Sequence, residues 1–101
     1  MKVVLTQEAI SKLELNLFFL LEEQKLPKSK VLEIRKSLLA RAKGLSKSPF
    51  KGQKEEYLET MNQEHRRIIE KDFKIIYFIE SEVIYVTDFF HTHRNPDKMK
   101  G

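Results

Sequence analysis

The chain has no cysteine, only three glycines and three prolines, and no long hydrophobic run. Each shortage removes a class of function. Without thiols there is no disulfide framework and no thiolate chemistry, which fits a reducing compartment. Three glycines leave no room for a dinucleotide fingerprint, and neither a phosphate-cradling glycine loop nor an H-E-x-x-H motif occurs. No cofactor is expected. The longest nearly apolar stretch, Leu15 to Leu21, contains Asn16 and falls far short of the roughly 20 residues a membrane-spanning helix needs. The N-terminus places three apolar residues after one lysine, without the longer apolar core and small-residue cleavage site of a signal peptide. A cytoplasmic protein without membrane contact is the expectation.

What is present suits a globular chain. At 101 residues with 41% hydrophobic and 34% charged side chains, a single domain over residues 1–101 is expected. Folding would bury very roughly 65% of its extended surface, enough for one core. No internal repeat or low-complexity block is visible. The formal charge of +4 conceals a sharper division: residues 25–54 hold ten Lys or Arg against Glu33 alone, whereas residues 55–90 hold four basic and nine acidic side chains. A concentrated positive field favours an anionic partner, either a phosphate backbone or an acidic protein segment. The simpler reading is a solvated helix face.

Lys2 to Leu5 is short and β-branched, and Thr6 stands as an N-cap with Glu8 in the following first turn. A strand therefore runs into a helix over about Gln7 to Gln24. Ile10, Leu13, Leu17 and Leu20 or Leu21 form one stripe at helical spacing, while Leu15, Phe18 and Phe19 widen the apolar surface beyond it. The sheet and a second helix together are expected to cover this surface, the alternative being an exposed groove for a partner segment. Pro27 opens the second helix, which runs to Ala42 or Lys43 with Gly44 as its C-terminal cap. Its inner stripe is Val31, Ile34, Leu38 and Ala42, and its outer surface is basic.

Ser46 to Gln63, with Pro49 and Gly52, reads as a long functional or mobile loop with a short helical piece around Glu55 to Met61. Three runs rich in Ile, Val, Tyr and Phe follow, Arg66 to Ile69, Phe73 to Ile79 and Val83 to Phe90, separated by short polar gaps. They predict an antiparallel meander. Both faces of the middle run carry apolar residues, so helices cover one face and something else at least partly covers the other. The fold class is α+β with the order β-α-α-β-β-β, a helical hairpin packed on a small, mainly antiparallel sheet.

The last run delivers Phe90-His91-Thr92-His93-Arg94-Asn95-Pro96, and a strand end is a rigid mount for titratable and cationic groups. His91 and His93 share a strand face near Asp88, but spacing shows no third ligand, so no metal site is expected. The element order, with Arg66-Arg67-Ile68-Ile69, Phe73-Lys74-Ile75-Ile76-Tyr77 and the His91-x-x-Arg94-x-Pro96 ending, resembles the RelE/ParE toxin superfamily of plasmid-stabilisation type. The resemblance spans nearly the whole chain and is most specific in its final third.

That resemblance implies the toxin of a type II toxin–antitoxin pair, held inactive in a hetero-oligomer by a cognate antitoxin that wraps the domain. RelE-like members cut mRNA on the ribosome, which requires a proton acceptor for the 2′-hydroxyl, cations beside the phosphorus, and an acid for the leaving oxygen. Here Lys74 and Arg94 correspond to the family's strand arginines, His91 or His93 would move the proton, and Lys47, Lys51, Lys54, Arg66 and Arg67 would bind RNA. Arg66 and Arg67 point to opposite faces of their strand, so one of them at most shares a site with Lys74. The chain departs from that branch in ending at Gly101, without the C-terminal helix and the aromatic or basic residue of many cleaving members. ParE-like members poison DNA gyrase without chemistry of their own, and the short tail suits them. The cations favour mRNA cleavage, with gyrase inhibition as the alternative. A third reading is a basic nucleic-acid-binding module, for which Phe50 and Tyr57 are the only nearby aromatics available for stacking.

Overall fold

The computed structural model describes residues 1–55, 58 and 64–93. Two helices and a five-stranded mixed sheet make an α+β architecture. In chain order the elements are β1 (Lys2–Leu5), α1 (Gln7–Glu22), α2 (Lys28–Gly44), β2 (Gln53–Lys54), β3 (Arg66–Glu70), β4 (Phe73–Glu80) and β5 (Val83–His91). The sheet order is β1-β5-β4-β3-β2, with β1 parallel to β5 and the other neighbours antiparallel. Among the described residues, no helix is long and apolar enough to cross a membrane.

Local chemistry accounts for the elements. The Thr6 hydroxyl accepts a hydrogen bond from Ala9 N at 3.1 Å, satisfying one of the free amides of α1. Pro27 precedes α2 with its φ at −58°, already near the helical value. Gly44 departs from its expected role. It is the last residue of α2, and among the described residues no glycine has a positive φ; the chain leaves the helix through Leu45, whose N–H bonds Ala42 O at 3.2 Å. Two-residue turns close both hairpins, with Lys71, Asp72, Ser81 and Glu82 all at φ between 51° and 65°. Such turns match the twist of the strands they join. Gln53–Lys54 adds a short strand inside the segment expected to be loop, pairing with Arg66 and Arg67.

One layer of core lies between the helices and the sheet. Leu13, Leu17 and Leu20 from α1, Val31, Ile34, Leu38 and Ala42 from α2, and Ile68, Phe73, Ile75, Tyr77, Ile84, Val86 and Phe89 from the sheet fill it. The inner stripe of α2 is thus the expected one. On α1 the stripe is rotated: Ala9 and Asn16 are buried, while Ile10 is exposed. Asn16 is tolerated because its side-chain amide donates to Phe89 O at 2.8 Å, linking α1 to β5.

Beyond Val86 the strand β5 changes phase. Tyr77 pairs with Val86 but Ile76 pairs with Asp88, so Thr87 is an extra residue in the ladder, a β-bulge. The consequence reaches the strand end. Strict alternation from Ile84 and Val86 would send Asp88 and Phe90 toward the helices; the bulge sends Phe89 and His91 there instead.

Candidate functional site

The sheet face turned away from the helices carries the largest group of buried polar residues. The ladder puts Arg67 opposite Ile76, Ile69 opposite Lys74, and Lys74 opposite Phe90, so these side chains share that open face. Leu58 packs there with Ile76 and Phe90. Glu55, which leads out of β2, is 1% exposed, and its backbone N–H donates to His65 O at 2.8 Å. Its carboxylate reaches Lys74 Nζ at 3.4 Å and Arg67 Nε at 3.8 Å. Arg67 is held further by Lys54 O and by Gln53 Oε1 at 3.1 Å. His65 is buried with its ring edge-on to Phe78 at 5.3 Å, and Asp88 is buried beside Ile76.

The sequence-derived candidates therefore divide. Arg67 and Lys74 meet on the open face, around a carboxylate. Arg66 lies opposite Tyr77, on the other side of β3; it pairs with Glu64 at 3.0 Å, donates to Gly52 O at 2.9 Å and covers the Phe50 ring at 5.4 Å. His91 stands opposite Phe73 on the helix side, with ring centroids 5.0 Å apart, and His93 follows it at 5.1 Å. Neither histidine is on the face of Lys74. Thr92 N donates to Asp72 O at 2.9 Å, fixing the end of β5 against the first hairpin turn. Lys47 is exposed just after α2, and Lys54 is exposed on β2. Arg94 and most of the helical piece expected at Glu55 to Met61 lie outside the described residues.

Lys51 enters a second basic feature, a cleft of about 230 Å³ lined by Arg41, Lys51, Gly52, Gln53, Arg67, Ile68 and Ile69. Arg41 is itself paired with Glu70 at 3.3 Å. The base of this cleft is fixed by Tyr77, whose hydroxyl accepts from Gly52 N at 2.9 Å and donates to Pro49 O at 2.8 Å. Burial pushes the Tyr77 phenol above its usual value near 10, against the opposing influence of the Gly52 N–H and the Arg66 charge. The folded state thus favours the neutral phenol. Its stabilising effect is complete below the unfolded value of about 10 and is lost as pH rises from there through the folded value. A Tyr77→Phe variant should show a flatter fall in melting temperature above pH 10 than the parent; equal slopes would refute the assignment.

α1 supplies an apolar surface. Leu15, Phe18 and Phe19 are exposed, Phe18 by 61%, so the sheet and α2 do not cover the wide stripe of this helix. Beside Phe18, a groove of about 340 Å³ between the helices is floored by Leu17, Leu21, Val31 and Leu32, with Lys28 and the ion pair of Arg35 with Glu14 at 3.0 Å on its rim. Among the described residues, no group of three His, Asp or Glu side chains could hold a metal ion.

Sequence reasoning missed Glu55 and His65, and weighed Asp88 only as a metal ligand beside the histidines. Asp88 left a trace, since alternation from Val86 puts a carboxylate toward the core, a conflict that a bulge relieves. Glu55 left none: its partners stand 12 and 19 positions away on other strands. No protein-family model matches the chain, and no curated protein matches it.

Proposed function

We propose that this chain is a growth-inhibiting toxin of the RelE/ParE kind, neutralised by a cognate antitoxin, that acts by binding its target rather than by cutting RNA. The motif order Arg66-Arg67, Lys74-Ile75-Ile76-Tyr77 and His91-x-x-Arg94-x-Pro96 supports the family, and a helical hairpin over a mixed sheet is compatible with it. The exposed apolar surface of α1, with Lys28 and the Arg35–Glu14 ion pair beside it, suits an antitoxin segment with apolar side chains.

One observation carries the preference for binding over cleavage. The two cations of the open face, Lys74 and Arg67, share the single buried Glu55 carboxylate, while His91 lies across the sheet from them. Attack of a 2′-hydroxyl on the adjacent phosphorus, with departure of the 5′-oxygen, needs the proton acceptor and the cations around one phosphate. DNA gyrase is accordingly the favoured target class. Ribosome-dependent mRNA cleavage is the second reading, supported by the meeting of Arg67 and Lys74 on one face.

Induction of the protein alone in a bacterial cell tests both. Arrested growth with intact transcripts and gyrase-trapped DNA is the expected result. Codon-positioned transcript breaks that disappear in Lys74→Ala would replace it with the cleavage reading. Unimpaired growth would remove both.

A further inference from the structure

We infer that the outward face of α1 is a self-association surface, on which two copies of this chain pair α1 against α1 in antiparallel order with Leu15 and Phe18 of each at the centre. The inference stands apart from the toxin reading: an antitoxin segment on this face would displace the second copy.

Spacing supplies the apolar part of the argument. Ala9, Leu13, Leu17 and Leu20 turn inward, and the opposite side of the helix carries Ser11, Leu15, Phe18 and Glu22, all exposed, at steps of four, three and four positions. That alternation is the one by which a helix seats its side chains between those of another helix. Leu15, Phe18, Phe19 and, across the groove between the helices, Leu32 of α2 are 39–61% exposed. Together they present on the order of 400 Å² of apolar surface, about half of the roughly 800 Å² that each partner gives to a standard interface. Association is therefore expected with a dissociation constant on the order of micromolar.

Charge selects the occupant and its direction. α1 carries Glu8, Glu14 and Glu22, with Glu23 at its C-cap, against Lys12 alone, and its last turn holds no basic residue, the reverse of what the helix dipole favours. Glu14 is paired with Arg35, whereas among the described residues no ion pair holds Lys12, Glu22 or Glu23. The acidic end of α1 thus lacks a cation that a partner can bring. A second α1 brings it when antiparallel, because Leu15 and Phe18 have the same midpoint in the helix as Ser11 and Glu22. With the two-fold axis at that midpoint, Phe18 faces Leu15 of the other copy, and Glu22 faces Ser11 beside Lys12. A hollow of about 330 Å³ lined by Gln7, Glu8, Ser11, Lys12 and Leu15 then receives that Glu22. Parallel pairing would instead set Glu22 and Glu23 against their own copies, a like-charge contact.

Sedimentation velocity of the full chain alone, over a concentration series spanning the micromolar range at low salt, is the test. The mass should rise from that of one chain toward that of two. Phe18→Ala should weaken the dimer about tenfold, as for loss of a central aromatic anchor. Lys12→Glu should weaken it several-fold by placing a carboxylate against Glu22 of the other copy, and Lys12→Glu combined with Glu22→Lys should restore it, since the reversed charges meet again only in antiparallel order. Circular dichroism confirms that each variant is folded; if Lys12→Glu is not, Glu22→Lys alone reads the same contact from its exposed side. A chain that stays monomeric throughout the series would overturn the inference, leaving the face to a different partner. So would a dimer indifferent to Phe18→Ala, or a double charge reversal that fails to restore association. Growth arrest is measured separately, so failure here leaves the toxin reading to its own assay.

Discussion

Replacing Phe89 with alanine is expected to lower folding stability by about 3–5 kcal/mol, the range for deleting a buried aromatic ring. That is a large part of the roughly 5–15 kcal/mol that holds a domain together. Phe89 is fully buried between the sheet and α1, and its carbonyl accepts the hydrogen bond from Asn16. A cavity there also loosens α1, the helix packed over it. At roughly 4–8 °C per kcal/mol for a small domain, the melting temperature should fall by more than about 12 °C. Phe18→Ala supplies the contrast: this ring is 61% exposed, and its loss should change stability by no more than about 0.5 kcal/mol. Equal effects of the two substitutions, measured by denaturant unfolding, would show that the core has been assigned to the wrong side of α1.

Gly52→Ala is the second large effect, and it bears on the candidate site. A Cβ at this position would lie 2.6 Å from the Tyr77 hydroxyl, 2.7 Å from Arg67 O and 2.9 Å from Tyr77 Cε1. Two of these neighbours belong to a buried ring and one to strand backbone, so neither side can yield cheaply. Overpacking of this kind costs about 1–3 kcal/mol. It also strains the hydrogen bond from Gly52 N to Tyr77, and it shifts the segment that carries Lys51, Lys54 and Glu55. Gly44→Ala should have the opposite sign, because nothing lies within 4 Å of the added carbon and the residue ends a helix. Alanine there should stabilise by up to about 1 kcal/mol. Thermal melts of the two variants decide the matter: a Gly52→Ala protein as stable as its parent would mean that Tyr77 does not close over the loop.

The strand runs and helix stripes were legible because burial repeats at the period of the backbone. Val31, Ile34, Leu38 and Ala42 recur at helical spacing and are the residues buried by α2. The meander runs match β3, β4 and β5 to within one residue at each end, since Ile, Val, Tyr and Phe stop where charged turn residues begin. Thr6 could be read as a cap because its bond to Ala9 N spans only three positions. The candidate site was less legible. Arg67 and Lys74 were named, but not the Glu55 that joins them, and His91 was grouped with Lys74 as one catalytic set although the bulge turns it to the opposite face.

The amino-acid order by itself determined two helices, a β-meander, a segregated basic segment and a strand ending in histidines, because each depends on residues a few positions apart. Only the tertiary structure decided that one extra residue at Thr87 turns Phe89 and His91 toward the helices, and that Glu55 returns to pair with both Arg67 and Lys74. The reason is physical. A bulge forms where packing Phe89 under α1 outweighs one lost ladder pairing, and a buried carboxylate persists where cations from other strands replace its water. Both balances are struck between distant segments, so neither leaves a period to read along the chain.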